Sequence, residues 1–286
     1  MNRFVLVTGA STGIGLASCE HLLREGYHVI GGVRSETDAT RLKTALGPKF
    51  YAVIIDVTTT DSIGRAREEV TTILNEDHLV AIVNNAGIVI SGTVLHVPIE
   101  EWKRQFDVNV FGLLDTTQRF FDLLIKASQS GDRHPVRIIN MSSVSGKFAS
   151  PFMGPYAASK FALEALSDSL RRELYMYDIQ VVLIEPGSIA TPLWDKAKEA
   201  VQYVGPEHEW MLPFKNKIID HNVATGLHVD EVAKCVVNAV KAEKVRSRYL
   251  IKAQAWKFRI VTILPTAWVD RMILKKLRSK SNIRPF

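Results

Sequence analysis

The sequence has few cysteines and shows no arrangement of histidines typical of a metal site. Its two cysteines, Cys19 and Cys235, lie far apart and have neither redox nor metal-ligand spacing. This favours a reducing, cytoplasmic compartment over a disulfide-bonded secreted protein. The eight histidines form no ligand pattern, so we expect no metal. Because the first predicted strand begins at Phe4, we expect neither a signal peptide nor an N-terminal membrane anchor.

Internal repeats, low-complexity linkers and a visible domain boundary are also lacking. Hydrophobic residues make up 47% and charged residues 23% of the 286 positions, as in soluble globular proteins. The net charge is +6, and much of the basic excess lies near the C-terminus. Basic residues there alternate with bulky apolar ones, and no nucleic-acid motif is present, so we predict no nucleic-acid partner.

What is present is a regular alternation of apolar runs and helical patterns. The runs predicted as strands are 4–7, 27–33, 50–55, 79–83, 136–141, 179–184 and 249–251. Helices are predicted over 61–74, with Asp61 as its cap, over 100–127 and over 230–242. This order predicts a doubly wound α/β fold, with one parallel sheet covered by helices on both faces. We expect a single domain over 1–251 and a basic amphipathic C-terminal extension over 252–286.

A glycine-rich turn follows the first predicted strand. It comprises residues 8–15, TGASTGIG, and leads directly into a helical pattern. Strand, glycine loop and helix start together bring backbone N–H groups against a pyrophosphate. Glycine spacing alone could mark a simple connector, but the position after the first strand favours a phosphate-binding loop.

The end of the second predicted strand indicates which dinucleotide is preferred. An acidic residue there would bind an adenosine ribose and repel a 2′-phosphate, and none is present. Arg34 follows the strand instead, where its guanidinium could meet that phosphate. The alternative is an ordinary surface arginine. We predict a preference for NADP(H), with NAD(H) as a second possibility.

A serine, a tyrosine and a lysine around the fifth predicted strand suggest proton chemistry. Tyr156 and Lys160 are four residues apart on one helix face, after Pro155, which suits a first helical turn. The lysine ammonium and the positive helix end should lower the phenol pKa. Tyr156 would then donate and accept a proton, and Ser143 could hydrogen-bond a substrate oxygen. Alone, the tyrosine–lysine pair is usually just amphipathic.

Together these motifs resemble the short-chain dehydrogenase/reductase family, from residue 4 to about residue 251. The further matching motifs are Asp56-Val57, Asn84-Asn85-Ala86-Gly87, Asn109, Pro186-Gly187 and Thr191. Within the family, Glu185-Pro186-Gly187 and the run 159–173 resemble the retinol, hydroxysteroid and 3-hydroxybutyrate dehydrogenase branch. The resemblance implies a Rossmann-type fold, an enzyme that interconverts a carbonyl and an alcohol, and a homo-oligomer, either dimer or tetramer.

The resemblance also implies residue roles. Tyr156 would be the general acid/base, Lys160 would hold the nicotinamide ribose, Ser143 would bind the substrate carbonyl, and Asn109 would hold a relay water. From the residues alone, Asn109 is equally plausible as a buried structural amide. The implied cofactor-binding residues are Gly9, Ser11, Thr12, Gly13, Ile14, Gly15, Arg34, Asp56, Val57, Asn84, Asn85, Ala86, Gly87, Tyr156, Lys160, Pro186, Gly187, Ile189 and Thr191.

The irregular stretch 193–227 is predicted to form a lid or substrate wall. Its large apolar residues are Trp194, Tyr203, Trp210, Met211, Leu212 and Phe214. We therefore predict a bulky apolar substrate, such as a steroid, a retinoid or another lipid-like carbonyl. The alternative is that these side chains fill the core under a long loop. A second enzymatic hypothesis is a 3-oxoacyl thioester reductase. A hypothesis from another class is a non-catalytic nucleotide-binding regulator, and the retained Ser143, Tyr156 and Lys160 disfavour this regulator.

The C-terminal extension mixes apolar and basic side chains. Its large apolar residues are Trp256, Phe258, Ile260, Val261, Ile263, Leu264, Trp268, Val269, Met272, Ile273, Leu274 and Leu277. Its basic residues are Lys252, Lys257, Arg259, Arg271, Lys275, Lys276, Arg278 and Lys280. Pro265 divides it into two helical pieces, neither long enough to span a bilayer. An interfacial membrane helix and a lid or subunit interface are both consistent with this pattern.

Overall fold

The computed structural model describes residues 1–191, 203–213, 216, 220 and 226–278. In this part of the chain seven strands form one sheet in the order β3-β2-β1-β4-β5-β6-β7, and every neighbouring pair is parallel. The strands are β1 (Arg3–Thr8), β2 (His28–Val33), β3 (Phe50–Ile54), β4 (His78–Asn84), β5 (Val136–Met141), β6 (Ile179–Pro186) and β7 (Arg248–Ile251). The predicted strands and the α/β fold class are confirmed.

The order of the strands reverses between β1 and β4. Strands β2 and β3 extend the sheet to one side of β1, and β4 to β7 extend it to the other. In such sheets the carboxyl ends of the two central strands leave a crevice, because their connections run to opposite faces. Thr8 ends β1 and Asn84 ends β4, so this crevice lies beside the predicted glycine loop.

Nine α-helices have both ends within the described residues. They are α1 (Gly13–Arg24), α2 (Glu36–Leu46), α3 (Thr60–Leu74), α4 (Ile99–Phe106), α5 (Gly112–Ser128), α6 (Gly154–Glu173), α7 (Val229–Lys241), α8 (Ala255–Ile263) and α9 (Thr266–Arg278). The predicted cap at Asp61 is wrong. Thr59, with an extended backbone, is the N-cap of α3, and Asp61 lies in the first turn, where its charge still suits the helix dipole.

The long helical region predicted over 100–127 is confirmed, but it is not α-helical throughout. A π-helical turn, Asp107–Phe111, separates α4 from α5. Asn109 lies in this turn, and its side-chain oxygen accepts a hydrogen bond from the N–H of Ile88 at 2.9 Å. Its amide donates to the Ile88 carbonyl at 3.1 Å and to Ser159 Oγ at 3.2 Å. Such π turns often occur at functional sites, and apolar periodicity does not reveal them.

The core consists of two apolar layers, one on each face of the sheet. Alternate residues of a strand point to opposite faces. Val5 and Val7 pack in the layer that contains α1, α2 and α7, whereas Phe4 and Leu6 pack in the layer that contains α3 and α5. Both faces of β1 are therefore apolar, which explains its unbroken hydrophobic run. Because β1 is packed on both faces, the crevice at its carboxyl end has a fixed position.

The C-terminal extension forms the two helical pieces predicted around Pro265, α8 and α9. Large apolar residues of both helices are exposed, among them Trp256, Ile260, Ile263 and Trp268. Leu277, near the end of α9, is buried. Among the residues that the structure describes, no helix has the length and apolar character needed to cross a bilayer.

Candidate active site

The glycine loop connects β1 to α1 at the crevice. Gly9 and Gly13 have φ angles of +66° and +57°, which side chains disfavour. A Cβ on Gly15 would lie 2.2 Å from the Gly9 carbonyl oxygen, so the loop closes on itself only with glycine there. In the described chain Thr12 makes no side-chain capping bond, and the first turn of α1 has no acidic residue. Its N–H groups are therefore suited to an anion.

The NNAG segment after β4 supports this loop. The Thr8 hydroxyl oxygen accepts hydrogen bonds from the backbone N–H groups of Asn85 and Ala86, at 3.1 and 3.0 Å. The Asn85 amide donates to the carbonyls of Thr8 and Gly9, at 3.0 and 3.1 Å. These bonds tie the ends of β1 and β4 together, so the glycine loop has one defined position.

Asn84 is oriented differently from Asn85. Its side chain is 2% exposed and donates to Thr117 Oγ1 at 3.1 Å and to Asn140 Oδ1 at 2.9 Å. Asn140 in turn donates to Ser167 Oγ on α6 at 2.9 Å. The side chain of Asn84, predicted at the cofactor, thus belongs to an interior network that joins β4, β5 and α6. Asn84 would therefore contact a cofactor through its backbone and not through its side chain.

Two arginines lie near the loop, and sequence reasoning identified only one. Arg34 is exposed just after β2, and its charge contributes to lowering the pKa values of Asp38 and Asp56. Arg41 on α2 donates to the Ser11 carbonyl at 2.9 Å and to Asp38 Oδ1 at 2.7 Å. No local motif marks Arg41, because its contact with the loop depends on how α2 packs.

Asp56 and Val57 follow β3 at the same edge. The Asp56 carboxylate accepts hydrogen bonds from the Thr58 backbone N–H at 2.9 Å and its hydroxyl at 2.7 Å. These bonds are the main reason that the pKa of Asp56 is lowered. Val57 packs on α5, since a Cβ on Gly112 would lie 2.4 Å from the Val57 carbonyl oxygen. Both predicted adenine-side residues therefore occupy fixed positions at the crevice edge.

The structure brings Ser143, Tyr156 and Lys160 together. Their exposed fractions are 7%, 9% and 5%, so all three are nearly shielded from water. Ser143 lies close enough to Tyr156 to act on its phenol, because it partly opposes the rise in the Tyr156 pKa that burial causes. The Ser143 oxygen also accepts from the Ser145 N–H at 3.1 Å, which orients the hydroxyl. Lys160 Nζ donates to the Met141 carbonyl at 2.6 Å and lies 5.7 Å from the centre of the Tyr156 ring.

The predicted lowering of the Tyr156 pKa is wrong for this structure. Burial raises the pKa of Tyr156, and Ser143 opposes this only in part. Burial also lowers the pKa of Lys160 to about 8, with Glu164 acting in the opposite direction. The lysine points its charge at the Met141 carbonyl and is itself costly to ionise. A tyrosine with a raised pKa stays protonated at neutral pH, which suits proton donation to a carbonyl.

Glu164, one helical turn after Lys160, holds α6 in place. Its carboxylate accepts from Ser142 Oγ at 2.6 Å and pairs with Lys147 Nζ at 3.1 Å and Arg248 Nε at 3.0 Å. Arg248 also pairs with Asp168 at 2.6 Å, so β7 is fastened to α6. This network around the buried Glu164, which sequence reasoning missed, fixes the helix that carries Tyr156.

The segment after β6 closes the opposite side of the crevice. The Pro186 carbonyl accepts from Ser143 Oγ at 3.4 Å, and the Gly187 N–H donates to the Ile251 carbonyl at 2.9 Å. A Cβ on Gly13 would lie 3.6 Å from Thr191 Cγ2. Thr191 thus lies opposite the glycine loop. Ile189 is buried, and it bridges to Leu227.

Part of the predicted substrate wall lies near the start of α6. The Tyr203 carbonyl accepts from the Thr93 N–H at 2.9 Å, and a Cβ on Gly92 would lie 2.7 Å from Tyr203 Cβ. Gly92 bridges to Met153, which immediately precedes α6. Trp210 is 40% exposed and Met211 is half-buried, both on a 3₁₀ helix, Pro206–Met211. Trp194 and Phe214 lie outside the described residues.

The crevice fits a dinucleotide. Only glycine can occupy the tight position at Gly15, the start of α1 presents N–H groups to an anion, and arginine charge lies nearby. The buried serine, tyrosine and lysine lie at the other end of the same crevice, next to the loop that follows β6. This arrangement suits the binding of a cofactor along the carboxyl edge of the sheet.

Comparison with known proteins agrees with this geometry. Residues 3–202 match the model of the short chain dehydrogenase family. The chain is similar to the NADPH-dependent 3-dehydrocapnine reductase of Ornithobacterium rhinotracheale, with 35% identity over 96% of this chain and 98% of that protein. It is similar to retinol dehydrogenase 16 of Mus musculus, with 30% identity over 95% of this chain and 88% of that protein.

Among solved structures, a short-chain dehydrogenase from Streptomyces avermitilis is similar. Its TM-score is 0.78 and its identity 25%, with 99% of each chain covered. The retinol dehydrogenase similarity also supports the narrower resemblance drawn from Glu185-Pro186-Gly187 and the run 159–173. The family match spans more than half of the chain and coincides with the described crevice, so this protein belongs to the short-chain dehydrogenase/reductase family and is an oxidoreductase.

Proposed function

We propose that this protein is an NADPH-dependent reductase of a bulky apolar ketone or aldehyde. The observation that carries the proposal is the buried set of Ser143, Tyr156 and Lys160 at one end of a crevice whose other end is a glycine loop. The preference for NADPH is supported by Arg34, and by the cofactor dependence of the similar 3-dehydrocapnine reductase. The residues predicted to bind the cofactor keep that role in the proposal, and Arg41 is added as the residue that positions the glycine loop.

The proposed chemistry is carbonyl reduction with proton donation from Tyr156. The cofactor supplies the hydride, and the protein orients both reactants. The Tyr156 hydroxyl donates its proton to the carbonyl oxygen as the alcohol forms, and Ser143 donates a hydrogen bond to the same oxygen. Lys160 in its ammonium form stabilises negative charge on the phenol oxygen until a proton is returned. Burial of all three residues excludes water, which strengthens each of these interactions.

Asn109 contributes by positioning other residues. Its amide bonds the Ile88 backbone and Ser159, so it holds the segment after the NNAG motif against α6. That segment lies beside the site, since a Cβ on Gly87 would be 3.4 Å from Asn109 Oδ1. The relay-water role stays a prediction from the family resemblance.

The proposed substrate carries a large apolar group. Tyr203 contacts Gly92, which bridges to Met153 just before α6, the helix on which a substrate carbonyl would approach Tyr156. Each apolar methylene buried from water contributes about 0.8 kcal/mol. Burial of about four methylenes would therefore favour a bulky substrate by roughly a hundredfold over a small hydrophilic one. The 3-oxoacyl thioester reductase remains the second enzymatic candidate.

A substrate panel tests this proposal. NADPH oxidation and alcohol formation should be measured with 3-dehydrocapnine, a steroid ketone, retinal, a 3-oxoacyl thioester and a small hydrophilic ketone. We expect kcat/KM for at least one bulky apolar carbonyl to exceed that for the small ketone by roughly a hundredfold. A preference for the small ketone contradicts the proposed substrate class. NADPH binding without turnover of any compound would favour the regulator hypothesis.

We propose further that α8 and α9 contact an anionic membrane surface. The exposed fractions are 62% for Trp256, 46% for Ile260 and 80% for Ile263, and these residues recur at helical spacing on α8. Trp268 is 60% exposed on α9. Exposed apolar and aromatic groups among lysines and arginines favour binding in the interfacial region of a bilayer. The alternatives are a lid and a subunit interface within a homo-oligomer.

Flotation of the full-length protein with vesicles tests the membrane contact. We expect the protein to float with vesicles that contain phosphatidylserine at low salt and to be released at high salt, because each basic residue near the surface contributes about 1 kcal/mol. A Trp256→Ala/Trp268→Ala double variant should float several-fold less. Tyr175→Ala, which alters a residue 79% exposed at the end of α6, is the control. Absence of flotation, with sedimentation showing a dimer or tetramer, would support the interface instead.

A further inference from the structure

Two histidines and a glutamate meet at the edge of the predicted substrate wall. His96 lies in the segment that precedes α4, whereas Glu207 and His208 lie on the 3₁₀ helix Pro206–Met211. His96 Nε2 is 2.9 Å from Glu207 Oε1, and His208 Nδ1 is 3.3 Å from the same oxygen. The ligand atoms of the three side chains all lie within 4.8 Å of one another. The large separation in sequence explains why histidine spacing did not indicate this cluster.

An outer hydrogen bond orients His96. Thr93 Oγ1 lies 2.9 Å from His96 Nδ1 and 3.3 Å from the Tyr203 carbonyl oxygen, to which it can donate. With Nδ1 bonded to the threonine, Nε2 is the ring nitrogen that faces the Glu207 carboxylate. In the neutral tautomer that carries its hydrogen on Nδ1, Nε2 has a lone pair available to a metal ion.

His208 approaches the same carboxylate from the other side. Its Nδ1 atom is buried and, in the part of the chain that the structure describes, makes no hydrogen bond. It lies 3.3 Å from Glu207 Oε1. One carboxylate oxygen therefore faces two ring nitrogens, and all three atoms are of types that bind a transition metal.

We propose that His96, Glu207 and His208 bind a divalent transition-metal ion, with Zn²⁺ as the best match. Zinc takes histidine nitrogen and carboxylate oxygen at about 2.0–2.2 Å, and in a tetrahedral site its ligand atoms lie roughly 3.4 Å apart. The two contacts to Glu207 are close to that separation, and water would complete the coordination. The contact of Thr93 with His96 Nδ1 is the kind of outer hydrogen bond that fixes a ligating imidazole.

The metal would fasten the substrate wall to the body of the protein. Thr93 already bonds the Tyr203 carbonyl, and a Cβ on Gly205 would lie 2.1 Å from His96 Nε2, so these segments touch directly. Gly92 connects the same segment to Met153 at the start of α6. A metal bridge from His96 to Glu207 and His208 would therefore hold the wall beside the catalytic helix. An effect of the metal on the KM for substrate rests on the proposed reductase function, whereas the binding of the metal does not.

Equilibrium dialysis against Zn²⁺ tests the site directly. We expect one tightly bound Zn²⁺ per wild-type chain, and at least a tenfold to hundredfold weaker affinity in His96→Gln and His208→Gln. His228→Gln is the matched control. His228 and His21 also flank a carboxylate, but they contact different oxygens of Asp230, at 3.0 and 3.2 Å, and so do not converge on one atom. This control should bind Zn²⁺ like the wild type.

The spectrum of the Co²⁺-loaded wild type gives a second readout that needs no variant. Four-coordinate Co²⁺ absorbs visible light far more strongly than six-coordinate Co²⁺, because geometry determines the ligand field. We expect the strong spectrum, its displacement by Zn²⁺, and a higher melting temperature with either metal. Equal Zn²⁺ affinity in the wild type and in His96→Gln would overturn the proposal. Failure of the wild type to bind Zn²⁺ would also overturn it and would leave His96 as a hydrogen-bond partner of Glu207.

Discussion

Replacement of Tyr156 by phenylalanine is expected to lower carbonyl reduction by roughly a hundred- to ten-thousandfold. The substitution removes the hydroxyl that donates the proton and leaves the ring in its buried position. Cofactor affinity should change little, because the glycine loop and both arginines are untouched. The measurement is kcat and kcat/KM in the reductive direction, together with a separate NADPH titration.

Tyr175→Phe provides the matched control, since the same hydroxyl is removed from an exposed tyrosine just after α6. It should retain wild-type turnover. Near-normal activity of Tyr156→Phe would exclude Tyr156 as the proton donor. A loss of NADPH binding in that variant would show that its effect is on cofactor binding or folding.

Arg34→Ala is expected to weaken NADPH binding by roughly tenfold to a hundredfold and to leave NADH binding nearly unchanged. A hydrogen bond to a charged group contributes about 1.5–3 kcal/mol, and each 1.4 kcal/mol corresponds to about tenfold in affinity. Only NADPH carries the 2′-phosphate that Arg34 would meet. Fluorescence titration of both cofactors against the wild type and the variant measures the difference.

Two further variants show whether the effect of Arg34 depends on its position or only on its positive charge. Lys43→Ala removes an exposed positive charge from the last turn of α2 and should change neither affinity appreciably. Arg41→Ala should weaken both cofactors, since Arg41 holds the Ser11 carbonyl of the glycine loop. Equal NADPH affinity in the wild type and Arg34→Ala would refute the role assigned to Arg34.

The sheet could be predicted from the sequence because its signals are local. Each strand is a short apolar run, and the residues that end β1 and begin α1 carry their own glycine signature. Tyr156 and Lys160 could be paired because helical spacing alone brings them together. The structure adds that Ser143 reaches Tyr156 across the loop between β5 and α6.

Features that depend on tertiary packing could not be predicted. Arg41 meets the glycine loop only because of how α2 packs, and Glu164 meets Arg248 only because β7 lies beside β6. The predicted direction of the Tyr156 pKa shift is wrong for the same reason. Helical spacing identifies Lys160 as a neighbour, but it does not show that burial dominates the pKa of Tyr156 or that Lys160 donates to the Met141 carbonyl.

Proton donation by Tyr156 is tested most directly by measuring product alcohol and oxidised NADPH together, with the best bulky carbonyl of the panel. We expect one alcohol per NADPH for the wild type and for Tyr175→Phe, and a rate of alcohol formation roughly a hundred- to ten-thousandfold lower for a folded Tyr156→Phe that still binds NADPH. If Tyr156→Phe forms alcohol at the wild-type rate, or the wild type oxidises NADPH without forming alcohol, the proposed reductase mechanism is contradicted.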